Sequence, residues 1–108
     1  MLEYGYGGRV LRIDLTTRRF EVEPLDASWI LPAIGGRAAN SRRLLEELDP
    51  TCDPLGPDNI LVIAPGLLAG TSAPTSGRLS VGGKSPLTGG IKEANAGGDP
   101  AQDLMKLG

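Results

Sequence analysis

Apolar and polar positions alternate twice near the start of the chain. Arg9 to Leu15 reads RVLRIDL and Arg19 to Leu25 reads RFEVEPL, with Thr16-Thr17-Arg18 between them. A period of two on both sides of a short polar break predicts a β-hairpin with one apolar face, closed at Pro24. Asp26 is placed as the N-cap of a short helix over Ala-Ser-Trp-Ile-Leu, and Pro32 forbids a long one. After Gly35-Gly36 the pattern becomes helical. Arg37 to Leu48, RAANSRRLLEEL, predicts a helix whose apolar side carries Ala38, Leu44, Leu45 and Leu48. Arg42/Glu46 and Arg43/Glu47 are i,i+4 pairs, each worth about 0.3 kcal/mol. Asp49-Pro50 ends this helix, and a proline-rich loop runs to Asn59. Ile60 to Ala64 reads as a buried strand. Two more short strands are expected around Arg78–Val81 and Gly90–Glu93, with turns at Gly82-Gly83 and Pro86–Gly89. Asp99 to Leu107, DPAQDLMKL, reads as a closing helix with Pro100 at its first position. The sum is an α+β domain, mainly antiparallel sheet with one or two helices.

Composition sharpens the picture. Sixteen glycines and nine prolines in 108 residues, together with the apolar runs LRIDL and ILVIA, indicate a loop-rich β domain. A formal net charge of −2 without a basic tail argues against nucleic acid or an anionic membrane as partner. The single cysteine, Cys52, leaves no internal disulfide and fits a reducing compartment. Met1 to Gly8 lacks the apolar segment of a signal peptide, and no apolar run reaches membrane-spanning length, so a cytoplasmic location is expected. A closing helix with an apolar face, ending at Gly108, points to a truncated or partnered domain.

The charge distribution is uneven. From Asn59 to Lys92 there is no Asp or Glu, glycines are frequent, and the basic residues are Arg78, Lys84 and Lys92. Such a stretch suits a bound anion, phosphate above all. Gly82-Gly83-Lys84-Ser85 contains GKS, but the glycine a Walker loop needs upstream is Arg78, and Pro86 prevents a helix from starting at Ser85. Gly5-Tyr6-Gly7-Gly8 precedes a strand, so a dinucleotide fingerprint fails too. There is no histidine, and Glu46 and Glu47 point apart on their helix, so a self-contained active site is not expected. What survives is a glycine-lined anion site over Gly70–Arg78 and Asn95–Gly98, with Arg78 as its fork and the start of the closing helix as a donor. The plainer reading makes these glycines turn residues and Arg78 a solvated strand residue.

The runs GTSAPTSGR (Gly70–Arg78), GGKSPLTGG (Gly82–Gly90) and EANAGG (Glu93–Gly98) resemble the N-terminal domain of the tungsten-containing aldehyde ferredoxin oxidoreductases. So do YGGRVLRIDLTT, GGRAAN and DPTCDPLGPDN, and the similarity covers the whole chain in order. It implies a β-sheet base carrying a bis-pterin of tungsten or molybdenum, with residues 1–108 forming part of the pterin-binding domain. Arg78 would lie between the pterin and a 4Fe–4S cluster held outside this chain. Asn95 and Gly97, with Ala96 between them, would contact the pterin and its magnesium-bridged phosphates. The Asn95 main-chain carbonyl is the implied Mg²⁺ ligand, since Mg²⁺ prefers hard oxygen donors. The family usually continues after Gly97-Gly98 with an aromatic or small apolar residue, where this chain has Asp99-Pro100. The implied activity is aldehyde oxidation to a carboxylic acid, with electrons leaving to ferredoxin. The isolated chain is expected to be inactive without the remaining domains or a partner subunit, and a homo-oligomer is possible. The alternative is a non-catalytic small subunit or truncated paralogue that binds a pterin, a phosphate or a protein.

Overall fold

The computed structural model describes residues 8–108; Tyr4, Tyr6 and the glycines Gly5 and Gly7 of the rejected dinucleotide motif lie outside the described residues. Eight elements follow in order: β1 (Arg9–Asp14), β2 (Arg19–Pro24), α1 (Ala27–Ala33), α2 (Gly36–Glu47), β3 (Val62–Pro65), β4 (Leu79–Lys84), β5 (Ile91–Ala96) and α3 (Pro100–Lys106). The α+β class holds, with two antiparallel sheets and three helices.

The hairpin forms as its alternation predicts, with Leu11 opposite Val22 and Ile13 opposite Phe20. Its turn is held by the Asp14 carboxylate, which accepts the N–H groups of Thr16 (2.9 Å) and Thr17 (3.2 Å). The other face turns toward α2, where Glu47 accepts both arms of the Arg12 guanidinium, at 2.8 and 2.5 Å. Arg43 also reaches Glu47, at 2.7 Å. Arg12 Nε lies 2.6 Å from Glu23 Oε1 but out of line for a hydrogen bond.

Asp26 caps α1 by accepting the Ser28 N–H at 2.9 Å. Pro32 is tolerated in the last turn, and the helix stops at Ile34 in the left-handed region, φ 56°. Gly35 then makes an isolated bridge with Gly66, and α2 begins. The face that α2 buries differs from the expected one: Ala39, Asn40 and Leu44 are buried, whereas Ala38 and Leu45 face solvent. Ser80 explains the shift, because its hydroxyl accepts the Asn40 Nδ2–H at 2.8 Å and makes a polar residue at home under the helix. Both expected i,i+4 ion pairs form, and Arg42 and Arg43 also stack on the Trp29 ring at 4.8 and 4.3 Å.

α2 lies across the sheet β3-β4-β5. The register places Val62, Gly82 and Glu93 in one row and Ala64, Ser80 and Asn95 in the next. The expected turn at Gly82-Gly83 is not there: both glycines lie inside β4. A Cβ at Gly82 would meet Asn40 Nδ2 at 3.3 Å and Leu44 Cδ1 at 3.5 Å, so the missing side chain is what lets α2 approach. The chain reverses one step later, where Ser85 Oγ accepts the N–H groups of Leu87 and Thr88. One apolar cluster joins Ile30, Ala33 and Ala39, with Leu25, Trp29 and Ala64 packed on it, and Leu44, Cys52, Ala69 and Ala101 are buried elsewhere. On the other side of the hairpin, Leu11, Ile13 and Val22 join Leu61, Ile63 and Leu107 around an open apolar groove of about 520 Å³. No helix among the described residues is long and apolar enough to cross a membrane.

Candidate cofactor site

β4 starts at Leu79 opposite Ala96, the last residue of β5. Arg78 and Gly97 flank that pair, so the ladder brings a cation entering one strand onto the main chain leaving the other. A Cβ at Gly97 would lie 3.3 Å from Arg78 Nη1; the guanidinium lies over backbone that only glycine leaves bare. Arg78, Asn95, Ala96 and Gly97 therefore share one exposed end of the sheet.

The cations elsewhere are mostly committed. Arg12, Arg37, Arg42 and Arg43 pair with glutamates. Lys84 donates to the carbonyls of Pro50 and Cys52, both at 2.6 Å, so the lysine of the rejected GKS run holds the proline-rich loop. Among the described residues Arg78 pairs with no carboxylate, which leaves its planar fork available to an anion.

The glycine-rich segment divides by role. The Gly70 N–H is donated to Gln102 Oε1, and Gly70 itself is pressed against Met105 of α3. A Cβ at Gly77 would meet the Gly98 carbonyl at 2.6 Å and Gln102 Nε2 at 3.2 Å. These two glycines serve close packing of the loop on α3, and the Gly70 N–H is already taken by Gln102. α3 itself starts at Pro100 with Ala101 fully buried, and Asp99 makes no side-chain cap bond.

Two features beside Arg78 escaped the sequence reading. Gly66 donates its N–H to the Arg78 carbonyl at 3.2 Å and bridges to Gly35, which sets the start of α2 next to the patch. That start has no side-chain cap bond and no acid in its first turn, so its positive dipole end is uncancelled there. Two glycines opening a helix with no capping residue were the available signal. The second is Glu93, which accepts the Ser80 hydroxyl at 2.7 Å, Arg37 Nε at 3.0 Å and the Asn95 amide. The Ser80 hydrogen bond first, then the Arg37 charge, holds this carboxyl below its usual range. The patch thus offers one free cation, main-chain groups of the Asn95–Gly97 segment and an oriented amide. That set fits an anionic, phosphate-bearing cofactor laid on a bare backbone, and what it can do is hold such a group.

The fold is an α+β sheet platform whose exposed end carries an unpaired arginine over glycine backbone. The model of the aldehyde ferredoxin oxidoreductase N-terminal domain matches residues 10–108. The chain belongs to that family. Tungsten-containing aldehyde ferredoxin oxidoreductases of Pyrococcus furiosus and Thermococcus kodakarensis are each 50% identical over 105 residues, 97% of this chain. The chain spans 17% of the length of these relatives. Among solved structures, the active site complex BamBC of benzoyl coenzyme A reductase bound to 1,5-dienoyl-CoA matches with a TM-score of 0.90 and 34% identity. That match covers 94% of this chain and 16% of the other.

Proposed function

We propose that this chain is the pterin-holding N-terminal part of a tungsten or molybdenum oxidoreductase that oxidises aldehydes to carboxylic acids and passes electrons through a 4Fe–4S cluster to ferredoxin. The observation that supports it most directly is the unpaired Arg78 guanidinium over Gly97, in a chain whose relatives are tungsten enzymes. In this reading Arg78 neutralises charge on the bound group, the Asn95–Gly97 main chain lies against its phosphates, and the Asn95 carbonyl faces Mg²⁺. The metal, held by the pterin dithiolenes, would supply the two-electron chemistry when bound, and the cluster would be held by residues outside this chain. The remaining domains or a partner subunit would cover the apolar groove, and the assembly would work in the cytoplasm.

The likeness to a benzoyl-CoA reductase complex favours a second reading of the substrate, because one platform then serves different reactions and the reducible group is chosen elsewhere.

Metal and pterin analysis of the protein purified with its natural partner domains tests the proposal. Tungsten or molybdenum and two pterins per chain are expected, with a several-fold loss in Arg78→Ala. Protein free of metal and pterin would remove the enzyme reading and leave the non-catalytic binding module.

A further inference from the structure

Between β3 and β4 the chain makes one loop, residues 66–78, closed at its base where Gly66 donates its N–H to the Arg78 carbonyl at 3.2 Å. Inside the loop the hydrogen bonds are local. The N–H and hydroxyl of Thr71 both reach the Leu68 carbonyl, and the Ser76 hydroxyl donates to the Ala73 carbonyl at 2.8 Å. Among the described residues, the hydrogen bonds that tie Gly70–Gly77 to another element both end on one side chain, Gln102 of α3. Its Oε1 accepts the Gly70 N–H, which turns Nε2 toward Ser76 Oγ, 3.4 Å away. Ser76 can accept there because its own proton goes to Ala73. One end of the tie needs an acceptor and the other a donor, and an amide supplies both where a carboxylate would not.

Ser76 and Gly77 lead directly into Arg78. The Arg78 N–H donates to the Ser76 carbonyl at 2.9 Å, so the residue that Gln102 holds by its side chain holds Arg78 by its main chain. A Cβ at Gly77 would stand 3.3 Å from Gln102 Cγ and 2.6 Å from the Gly98 carbonyl, which seats this turn between α3 and the segment that follows β5. Just before it, Thr75 has φ 58°, a left-handed conformation that a β-branched residue keeps only where its surroundings enforce it. We infer that Gln102 is a positioning residue: it clamps both ends of the Gly70–Ser76 segment to α3 and so fixes the direction in which Arg78 reaches over Gly97. The clamp needs no ligand. That Arg78 then meets an anionic cofactor rests on the proposed function. Without the clamp the loop would have to be ordered at each binding event, and that cost would be taken from the affinity Arg78 supplies.

Gln102→Met is the discriminating variant, because it keeps the bulk against Gly77 and loses both hydrogen bonds. Hydrogen exchange read by mass spectrometry, on cofactor-free protein purified with its partner domains, reports the clamp alone. Peptides covering residues 66–78 should exchange about tenfold faster in the variant, with peptides from α2 and β4 unchanged. A wild-type loop without protection, or equal exchange in the two proteins, would overturn the inference. Pterin retained after dialysis at low and high salt reports the link to Arg78, in wild type, Gln102→Met, Arg78→Ala and the double variant. Roughly threefold less pterin and a weaker salt dependence are expected in both single variants, with the double no worse than Arg78→Ala. A packing role alone would leave the salt dependence at its wild-type value and multiply with Arg78→Ala; either result overturns the inference, as does wild-type retention with a released loop. Ser76→Ala removes the tie nearest Arg78 from the loop side and is read in the same way if Gln102→Met does not fold. A wild type that holds no pterin, yet whose loop is released by Gln102→Met, sinks the cofactor reading and leaves the clamp standing.

Discussion

The Arg78 guanidinium covers Gly97, close enough that a Cβ there would stand 3.3 Å from Nη1 and 3.9 Å from Cδ. The contact is with the far end of a flexible, exposed side chain, so the fold can give way at little cost. Gly97→Ala should therefore change stability by less than about 0.5 kcal/mol while displacing the cation. Thermal melts should overlay wild type, and pterin retained by the loaded protein should fall several-fold. A loss of stability with cofactor retained would mean that the glycine serves packing and not the site.

Arg12 and Glu47 tie the hairpin to α2, and their hydrogen bonds lower the Glu47 pKa from its ordinary 4.5 to about 2. A carboxyl lowered on folding stabilises the protein above its unfolded value, and that contribution is lost as pH falls through the folded one. The affected window is thus pH 4.5 down to about 2. Glu47 is 23% exposed, so the contribution is roughly 2 kcal/mol once solvent screening is allowed for. Glu47→Gln should lower stability at neutral pH and flatten the acid limb of a denaturation series. An acid limb of unchanged slope would show that this pair does not carry the pH dependence.

What the sequence revealed was what is local. The hairpin followed from alternation, the α1 cap from Asp26, and the Arg42/Glu46 and Arg43/Glu47 pairs from helical spacing. The reason for Gly82 is α2 and the reason for Gly83 is the close approach of the Ile60 carbonyl, both distant in sequence, so the pair reads as a turn from the sequence alone. The buried side of α2 was misread for a related reason: Asn40 is polar, and the Ser80 that satisfies it lies forty residues away. Strand register puts Arg78 beside the Asn95–Gly97 segment, and the cofactor role given to them rests on the family resemblance. Glu93, Gln102 and the Gly35–Gly66 bridge acquire meaning only once strand register is known.

The hairpin's apolar face is uncovered: Leu11, Ile13, Phe20 and Val22 are 58, 61, 74 and 54% exposed. Burying each such side chain is worth roughly 1.5–3 kcal/mol, which exceeds what a small domain leaves unused. The isolated chain should self-associate and bind a hydrophobic dye, and Ile13→Lys with Phe20→Lys should reduce both. Sedimentation equilibrium decides the matter. A monomer at all concentrations with a sharp cooperative melt would contradict the expectation.

Gly70 is the position where the glycine requirement is most severe. Its φ is +79°, and a Cβ there would stand 2.7 Å from Met105 Cβ, below any real contact distance. Two costs therefore add: left-handed backbone strain of about 1 kcal/mol, and displacement of α3 from the loop, about 1–3 kcal/mol. Its N–H also anchors Gln102, so movement of the loop breaks that bond as well. Gly70→Ala should lower the melting temperature by several degrees, while Gly89→Ala, with φ +74° and open space around its Cβ, should show the strain alone. Gln102→Ala tests the same junction from the helix side. Equal losses at Gly70 and Gly89 would show that the close contact with Met105 contributes nothing, and that backbone conformation is the whole requirement.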